Sequence, residues 1–159
     1  MRNKNIGIIN SGMGNIESIK NILKKVRTRV DIINDPKELQ NFDAIILPGI
    51  GHFDEGVKRL TEQNWFSAIQ KYHQDKRGLM VGICLGMQLL AEKSEEGKLQ
   101  GLGLIKGRVA KFDFSNSEQA LKIPHMGWNT LKPVAGRAWC FEVYWKRRSL
   151  HGITTFIDS

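Results

Sequence analysis

The chain has 159 residues, of which 41% are hydrophobic and 25% are charged. This length fits one domain with a substantial core, and this composition is that of an ordinary soluble globular protein. No apolar run approaches the ~20 residues that a membrane helix needs. The apolar stretch in residues 1–10 is too short for a signal peptide. We therefore expect a cytoplasmic protein that does not associate with membranes.

The formal net charge is +8, from 24 Lys and Arg against 16 Asp and Glu. These basic residues are spread along the chain, and only Lys146-Arg147-Arg148 forms a tight cluster. Because no recognition motif or aromatic-interleaved basic stripe accompanies the charge, we expect no nucleic-acid partner. An acidic or phosphorylated ligand, or an acidic partner surface, explains the charge as well.

The two cysteines, Cys84 and Cys140, have no metal-ligand spacing and no secretory context. This spacing predicts neither a disulfide framework nor a zinc site, and we expect no metal and no cofactor. The glycine loop at 12–17 lacks the third glycine of the dinucleotide-binding pattern, which argues against a nucleotide.

Four segments of the first half predict strands. Three are the β-branched runs at 5–10, 29–33 and 43–49, the last ended by a Pro-Gly turn. The fourth, 78–83, has no polar residue and is predicted to be a central strand buried on both faces. Helix-like segments between them give a β-α-β-α order, which predicts a parallel sheet with helices on both faces.

The helical segments are predicted at 16–26, in a short turn opened by Asp35 and Pro36, over about 53–72, and at 87–93. From residue 97 the chain changes to short strands with glycine turns, read as a hairpin or meander at the sheet's edge. In parallel α/β folds, sites gather where strands end and helices begin. The loops at 10–15, 48–53 and 82–88 all occupy such places.

Cys84 lies between two glycines, in Gly82-Ile83-Cys84-Leu85-Gly86, where a buried strand passes into a helix. This is the arrangement of a nucleophile elbow, whose tight turn needs small flanking residues and pushes the central side chain clear of the backbone. A helix starting at Gly86 would stabilise a thiolate with its positive end. The Leu85 amide faces the same region and is a candidate oxyanion donor. A buried structural cysteine is the alternative.

The second loop, residues 47–53, ends the neighbouring strand with two glycines on either side of Ile50. Backbone amides freed by such a turn complete an oxyanion hole when they lie beside a nucleophile. We therefore predict that Gly49, Ile50, Gly51 and Leu85 form this hole next to Cys84.

Four motifs together resemble the class I glutamine amidotransferases: LPGIGHF (47–53), GICLGMQLL (82–90), SEEG (94–97) and PHMGWN (124–129). More narrowly, they are similar to the glutaminase subunits of imidazole glycerol phosphate synthase, as is NSGMGNIESIKN (10–21). The resemblance covers about residues 5–131. It implies a flavodoxin-like fold with a glutamine amidotransferase domain at 1–132, and a divergent tail at 133–159 in place of the C-terminal part.

The resemblance also implies a mechanism. Cys84 attacks the side-chain amide of glutamine, ammonia leaves, and water hydrolyses the thioester to glutamate. Gln88 and Glu96 match substrate-binding positions, Glu96 near the substrate's amino end. Ammonia then passes to a cyclase subunit with a (β/α)₈ barrel, in a heterodimer that serves histidine biosynthesis. The positions expected to face that partner are Asn10, Gly12, Asn15, His125, Met126 and Trp128.

The family's base is a late histidine in the pattern H-P-E, preceded by H-S-Y, and neither occurs in these 159 residues. The four histidines are His52, His73, His125 and His151, and only His151 is late in the chain, without a following Pro-Glu. We therefore expect impaired glutaminase activity. The segment after about residue 133 is read either as the product of a frameshift or early stop, which we favour, or as a genuine ending.

Three other readings remain open. A chain without its base fits a non-catalytic subunit that binds the cyclase. A related branch of amidotransferases supplies ammonia for surface-sugar biosynthesis and shares these motifs. A cysteine hydrolase of the DJ-1/PfpI type shares the elbow and sheet, although PHMGWN and MQLL argue against it.

Overall fold

The computed structural model describes residues 4–75 and 78–111, together with the backbone of residues 128–129, 150–151 and 157–158. The chain divides into two compact units, Met1–Lys111 with Thr155–Ser159, and Phe112–Thr154. The boundary predicted at residue 132 between a family domain and a tail stays a prediction. No helix in the described residues is long and apolar enough to cross a membrane.

The first unit is built on a parallel sheet, as the sequence predicts. Its strands are β1 (Ile6–Ile9), β2 (Asp31–Ile33), β3 (Ala44–Gly49) and β4 (Leu79–Cys84), in the order β2-β1-β3-β4. All three neighbouring pairs are parallel. The predicted Pro-Gly turn is wrong in detail, because Pro48 and Gly49 remain in the strand, paired with Ile83 and Cys84.

The connecting helices follow the predicted order. They are α1 (Ile16–Lys25), a 3₁₀ helix (Pro36–Asn41), α2 (Phe53–Glu62) and α3 (Trp65–Gln74). Asp35 caps the 3₁₀ helix by accepting a hydrogen bond from the Lys37 amide. The single helix predicted over 53–72 is wrong, because Asn64 adopts a left-handed conformation (φ 62°) that ends one helix and starts the next.

The strand that is buried on both faces is β3, not β4. Every residue of β3 is buried, so both of its faces are covered, since successive side chains point to opposite sides. Among the residues that the structure describes, β4 is the last strand in the sheet order, and its alternate residues Leu79, Val81 and Ile83 are 47%, 42% and 39% exposed. The prediction that 78–83 is a central strand is therefore wrong.

The hydrophobic core lies between the sheet and the helices that follow β3. Trp65, Phe53, Leu60 and Ile69 of α2 and α3 are fully buried against it. The sheet contributes Ile9, Ile33, Ile45 and Leu47. Aliphatic and aromatic side chains of this size each stabilise the fold by ~2 kcal/mol when buried.

After β4 the chain departs from the predicted helix at 87–93. A one-turn helix, α4 (Leu85–Gln88), is followed by strand β5 (Ala91–Ser94). β5 pairs in parallel with β6 (Ile105–Val109), the one strand between residues 97 and 111. The hairpin or meander predicted from residue 97 does not form within that range, and its end at 112–114 lies outside the described residues. β6 also pairs antiparallel with β7 (Ile157–Asp158), which gives a second, three-stranded sheet.

The second unit contains one described element, a two-stranded antiparallel sheet. Its strands are β8 (Trp128–Asn129) and β9 (Leu150–His151). In the backbone register Trp128 lies opposite His151. His125 and Met126, predicted to face a partner, lie outside the described residues.

Candidate functional site

Cys84 occupies a strained turn between β4 and α4. Its backbone has φ 55° and ψ −121°, a conformation that non-glycine residues rarely adopt and that costs about 1–3 kcal/mol. The residue is half-buried and its thiol is free. Strain of this kind persists only where the surroundings impose it, and its place at a strand-to-helix turn is that of a nucleophile elbow.

The two glycines that flank Cys84 are required by the backbone around them. A Cβ on Gly82 would overlap the Cα of Met87, and a Cβ on Gly86 would overlap the carbonyl oxygen of Leu47. Both obstacles are main-chain atoms, so no side-chain rotation relieves them. The prediction that this turn needs glycine at both positions is confirmed.

The PGIG loop lies directly against the elbow. Gly49 is the β3 partner of Cys84, and a Cβ on Gly49 would come within 2.5 Å of the Gly86 nitrogen and 2.9 Å of the Leu85 Cβ. Gly51 has φ 114°, which only glycine adopts without strain, and Ile50 is 72% exposed. The structure therefore places Gly49 directly beside the turn that holds Cys84, and the contribution of Ile50 and Gly51 to an oxyanion hole there stays a prediction.

Leu85, the predicted oxyanion donor, follows Cys84 directly at the start of α4. Leu85 is the first residue of α4, and the first amides of a helix have no acceptor within the helix. Because α4 has a single turn, the positive end of the helix that the sequence predicts beside Cys84 is reduced to these few amides. Its role as an oxyanion donor stays a prediction.

The two predicted substrate-binding residues lie on successive elements after the elbow. Gln88 is the last residue of α4, one turn from Cys84, and is half-buried. Glu96 is exposed in the turn after β5, and its amide donates a 3.1 Å hydrogen bond to the Oγ of the buried Ser94. Glu96 thus presents its carboxylate to solvent from an anchored backbone.

The carboxylate of Asp54 holds the end of this turn, at Lys98 and Leu99. Asp54 is not among the residues predicted from the sequence. It accepts hydrogen bonds from the amides of Lys98 (2.9 and 3.0 Å) and Leu99 (3.0 Å). The bonds from Leu99 and then Lys98 lower the pKa of Asp54 below its ordinary 3.8. An acidic residue in the first turn of a helix is ordinary on dipole grounds, so nothing in the local pattern of α2 distinguishes it.

The three predicted partner-facing residues of the 10–15 loop lie around one groove. Asn10, Gly12 and Asn15 line an open groove of about 660 Å³ together with the exposed Ile50. Two of them also have roles inside the molecule. The side-chain amide of Asn10 donates a hydrogen bond to the side-chain oxygen of Asn34, and the Asn15 side chain caps α1 by accepting one from the Ser18 backbone amide.

Arg59 of α2 supports the same loop by donating a 3.1 Å hydrogen bond to the carbonyl of Gly12. Beside it, Ser11 is fully buried, and its hydroxyl has no hydrogen-bond partner among the described residues.

No histidine within residues 4–75 and 78–111 stands in the H-P-E pattern that the family resemblance predicts. His52, at the start of α2, and His73, in the last turn of α3, are both exposed. His151 is described only through its backbone in β9. No group of three metal-ligating side chains occurs within residues 4–75 and 78–111.

The sequence profile of the CobB/CobQ-like glutamine amidotransferase domain matches residues 7–121. The chain belongs to the glutamine amidotransferase family. The matched range contains the elbow, the PGIG loop and the 10–15 loop, the three loops that follow β4, β3 and β1 of this amidotransferase chain.

The curated relatives that the chain matches include subunits of one enzyme, imidazole glycerol phosphate synthase. The amidotransferase chain is 46% identical over 127 residues to "Imidazole glycerol phosphate synthase subunit HisH" of Sulfurimonas denitrificans, covering 79% of this chain and 61% of that one. It is 45% identical to HisH 2 of Methanococcus maripaludis, covering 80% and 61%. The HisH of Bacillus licheniformis is 45% identical over 129 residues, covering 80% and 60%. The chain thus spans about three-fifths of the length of these relatives.

A solved structure supports the fold. A glutamine amidotransferase crystal structure superposes with a TM-score of 0.62 at 19% identity, covering 78% of this chain and 62% of that chain. The predicted α/β class with a parallel sheet is therefore confirmed.

Proposed function

We propose that this chain carries the nucleophile of the glutaminase site of an imidazole glycerol phosphate synthase, a site in which Cys84 attacks glutamine and the ammonia released serves histidine biosynthesis. Turnover by these 159 residues is impaired, because the family's H-P-E base is absent from them. The observation that carries the proposal is the strained backbone of Cys84, fixed between two obligatory glycines and paired with Gly49 of the PGIG loop. The matched glutamine amidotransferase domain supports glutamine as the substrate, and the HisH relatives, 38–46% identical, support the choice of synthase.

The chemistry follows from a cysteine at this position. The thiolate sulfur of Cys84 attacks the side-chain amide carbon of glutamine, and the carbonyl electrons move onto oxygen. When the carbonyl re-forms, the carbon–nitrogen bond breaks and the nitrogen takes up a proton and leaves as ammonia. Water then attacks the thioester carbonyl, the thiolate leaves, and glutamate is released.

The neighbouring main chain supplies the electrostatics of the proposed site. The amides of Leu85 and the Gly49–Gly51 loop stabilise the oxyanion, since fixed dipoles aimed at developing charge need no reorganisation during the reaction. Gln88, one turn from Cys84, contacts the substrate. The Glu96 carboxylate is complementary to the substrate's α-ammonium group.

The partner proposed here is a cyclase subunit. The groove lined by Asn10, Gly12, Asn15 and Ile50 lies at the edge of the sheet that carries the PGIG loop, which suits a surface across which ammonia is delivered. An exposed isoleucine at 72% is a ready apolar anchor for such an interface. His125, Met126 and Trp128 are proposed to face the same partner.

A second candidate is a non-catalytic subunit that binds the cyclase and releases no ammonia. The absence of H-S-Y and H-P-E from the 159 residues favours it, because the thiol then lacks a base and the leaving nitrogen lacks an acid. Both candidates share the proposed interface, so a binding measurement alone does not separate them.

Affinity labelling of Cys84 tests the proposed site without requiring turnover. A chloroketone shaped like glutamine alkylates a thiolate by losing chloride, and mass spectrometry locates the adduct. We expect saturable labelling of Cys84 that free glutamine slows, and no adduct in Cys84→Ala. Labelling that rises linearly with reagent and ignores glutamine would overturn the assignment of glutamine and leave a cysteine hydrolase of the DJ-1/PfpI type.

Co-purification with the cyclase subunit tests the interface. We expect Ile50→Glu to abolish binding, and Val26→Glu, an exposed site at the opposite end of α1, to leave it intact. Equal binding by both variants would refute this surface. Binding to an amidotransferase partner from surface-sugar biosynthesis, and not to the cyclase, would reassign the pathway.

A further inference from the structure

We propose that Asp54 is a positioning residue, whose carboxylate holds the 96–99 turn so that Glu96 faces the amino end of glutamine. The inference rests on the proposed function, because it takes glutamine as the ligand. It adds a residue of α2 that no likeness to the family motifs assigns, and it explains how an exposed turn keeps a fixed geometry.

The contacts of Asp54 reach far across the chain. Its two oxygens accept three hydrogen bonds of 2.9–3.0 Å from the consecutive amides of Lys98 and Leu99, which are 44 and 45 residues away. An ionised carboxylate that receives two backbone amides is a charge-assisted clamp, about twice as strong as a neutral pair. It fixes the backbone two residues after Glu96.

The other side of Glu96 is fixed as well. Ser94 is only 5% exposed, and its Oγ accepts a 3.1 Å hydrogen bond from the backbone amide of Glu96. Gly97 crosses the first turn of α2 so closely that a Cβ there would overlap an Asp54 oxygen and lie 3.2 Å from the Phe53 ring. Glu96 is therefore held between two polar anchors, with only its side chain free to point outward.

The same turn of α2 is continuous with the PGIG loop. His52 caps the helix in an extended conformation directly after Gly51, and Asp54 follows two residues later. Asp54 thus ties the turn that receives the amino end of glutamine to the loop proposed to receive its amide oxygen. Holding both ends of a substrate in one geometry is worth far more than holding either end alone.

Saturation kinetics of Cys84 labelling by the glutamine-shaped chloroketone test this role. We expect Asp54→Ala to raise the half-saturating concentration roughly tenfold, about the effect of losing one charge-assisted contact, while the maximal labelling rate stays unchanged. Asp54→Asn keeps one acceptor oxygen and should recover part of the loss. Glu55→Ala, an exposed acid in the same turn, is the matched control and should behave as the unmodified chain.

Two further measurements separate positioning from a merely structural role. Iodoacetamide has no α-ammonium group for Glu96 to bind. The rate at which it alkylates Cys84 should therefore be the same in Asp54→Ala and in the unmodified chain. The double variant Asp54→Ala/Glu96→Gln should be no worse than Glu96→Gln alone, because both changes remove one contact.

Each outcome bears on a different claim. If the unmodified chain shows no saturation, the proposed function fails and this inference fails with it. If the unmodified chain saturates and Asp54→Ala has the same half-saturating concentration, only the inference is wrong. A change in the iodoacetamide rate also overturns it, since Asp54 would then act on the elbow itself. Should Asp54→Ala not fold, Asp54→Asn decides by the same criteria.

Discussion

Gly49 and Cys84 are direct partners in the parallel pairing of β3 and β4, so the PGIG loop and the nucleophile elbow begin at the same level of the sheet. A Cβ on Gly49 would stand 2.5 Å from the Gly86 nitrogen, which shows how closely the two turns approach. The arrangement needs no side-chain contact to maintain it. It is set by the register of β3 and β4 and by the close approach of the backbone at Gly49, Gly82 and Gly86.

Replacing Cys84 separates the cost of its backbone from the chemistry of its thiol. Because its φ is 55°, Cys84→Gly should be more stable than Cys84→Ala by about 1 kcal/mol, although glycine is the more flexible residue. Urea unfolding of both variants measures the difference. At Ala68, within the helix α3, the order should reverse, so that Ala68→Gly lowers the free energy of unfolding. A Cys84→Gly variant that is less stable than Cys84→Ala would contradict the strained conformation.

The glycines near the site should differ in what they tolerate. Gly86→Ala would drive a Cβ into the Leu47 carbonyl, and we expect it to lower the free energy of unfolding by about 3 kcal/mol or more. Gly51→Ala meets open space and carries only the cost of its φ of 114°, about 1–2 kcal/mol. Equal losses in the two variants would mean that overlap with Leu47 is not the cause.

The order of elements and the convergence of three loops were predictable from local patterns. Short β-branched runs separated by helical periodicity dictate a parallel sheet, and Gly82 and Gly86 reveal the elbow because a tight turn leaves no room for side chains. The 10–15 loop, the PGIG loop and the elbow follow β1, β3 and β4, so a parallel sheet brings them to one edge without further information.

What failed depends on distant contacts. Residues 87–93 consist of good helix formers, yet Ala91–Ser94 form a strand because Ala91 pairs with Ile105 in β6. The apolar run of β4 reads as central, but sheet order is decided by pairing, which one strand's composition does not encode. Asp54 was missed for the same reason, since its hydrogen-bond partners lie 44 and 45 residues away.

Glutamine turnover is the direct test of the missing base. We expect the chain, mixed with the cyclase subunit, to release ammonia at the background of Cys84→Ala, because general acid–base catalysis normally contributes roughly 10²–10⁴-fold and H-P-E is absent from these residues. A coupled ammonia assay with a full-length HisH relative as positive control measures this. Clear Cys84-dependent turnover would show that another group accepts the proton.

Acid should weaken the Asp54 clamp. The amides of Leu99 and Lys98 lower the pKa of Asp54 below 3.8, with His52 and Lys58 acting in the same direction and partial burial against it. Since the folded pKa is the lower one, the stabilisation is complete above the unfolded value and is lost as pH falls through the folded value. The melting temperature of Asp54→Asn should therefore change less than that of the unmodified chain below about pH 4. Parallel curves would contradict the clamp, and Glu55→Gln serves as control.

In the part of the chain that the structure describes, β4 is the last strand of its sheet, and this has a consequence for handling the protein. From Leu79 to Cys84 the strand carries no charged residue, proline or bulge, the devices by which natural edge strands discourage pairing with other chains. Leu79, Val81 and Ile83 add an apolar row on one face of it. We therefore expect this chain to aggregate through β4 as its concentration rises. Val81→Lys should raise the highest concentration at which its solutions stay free of turbidity.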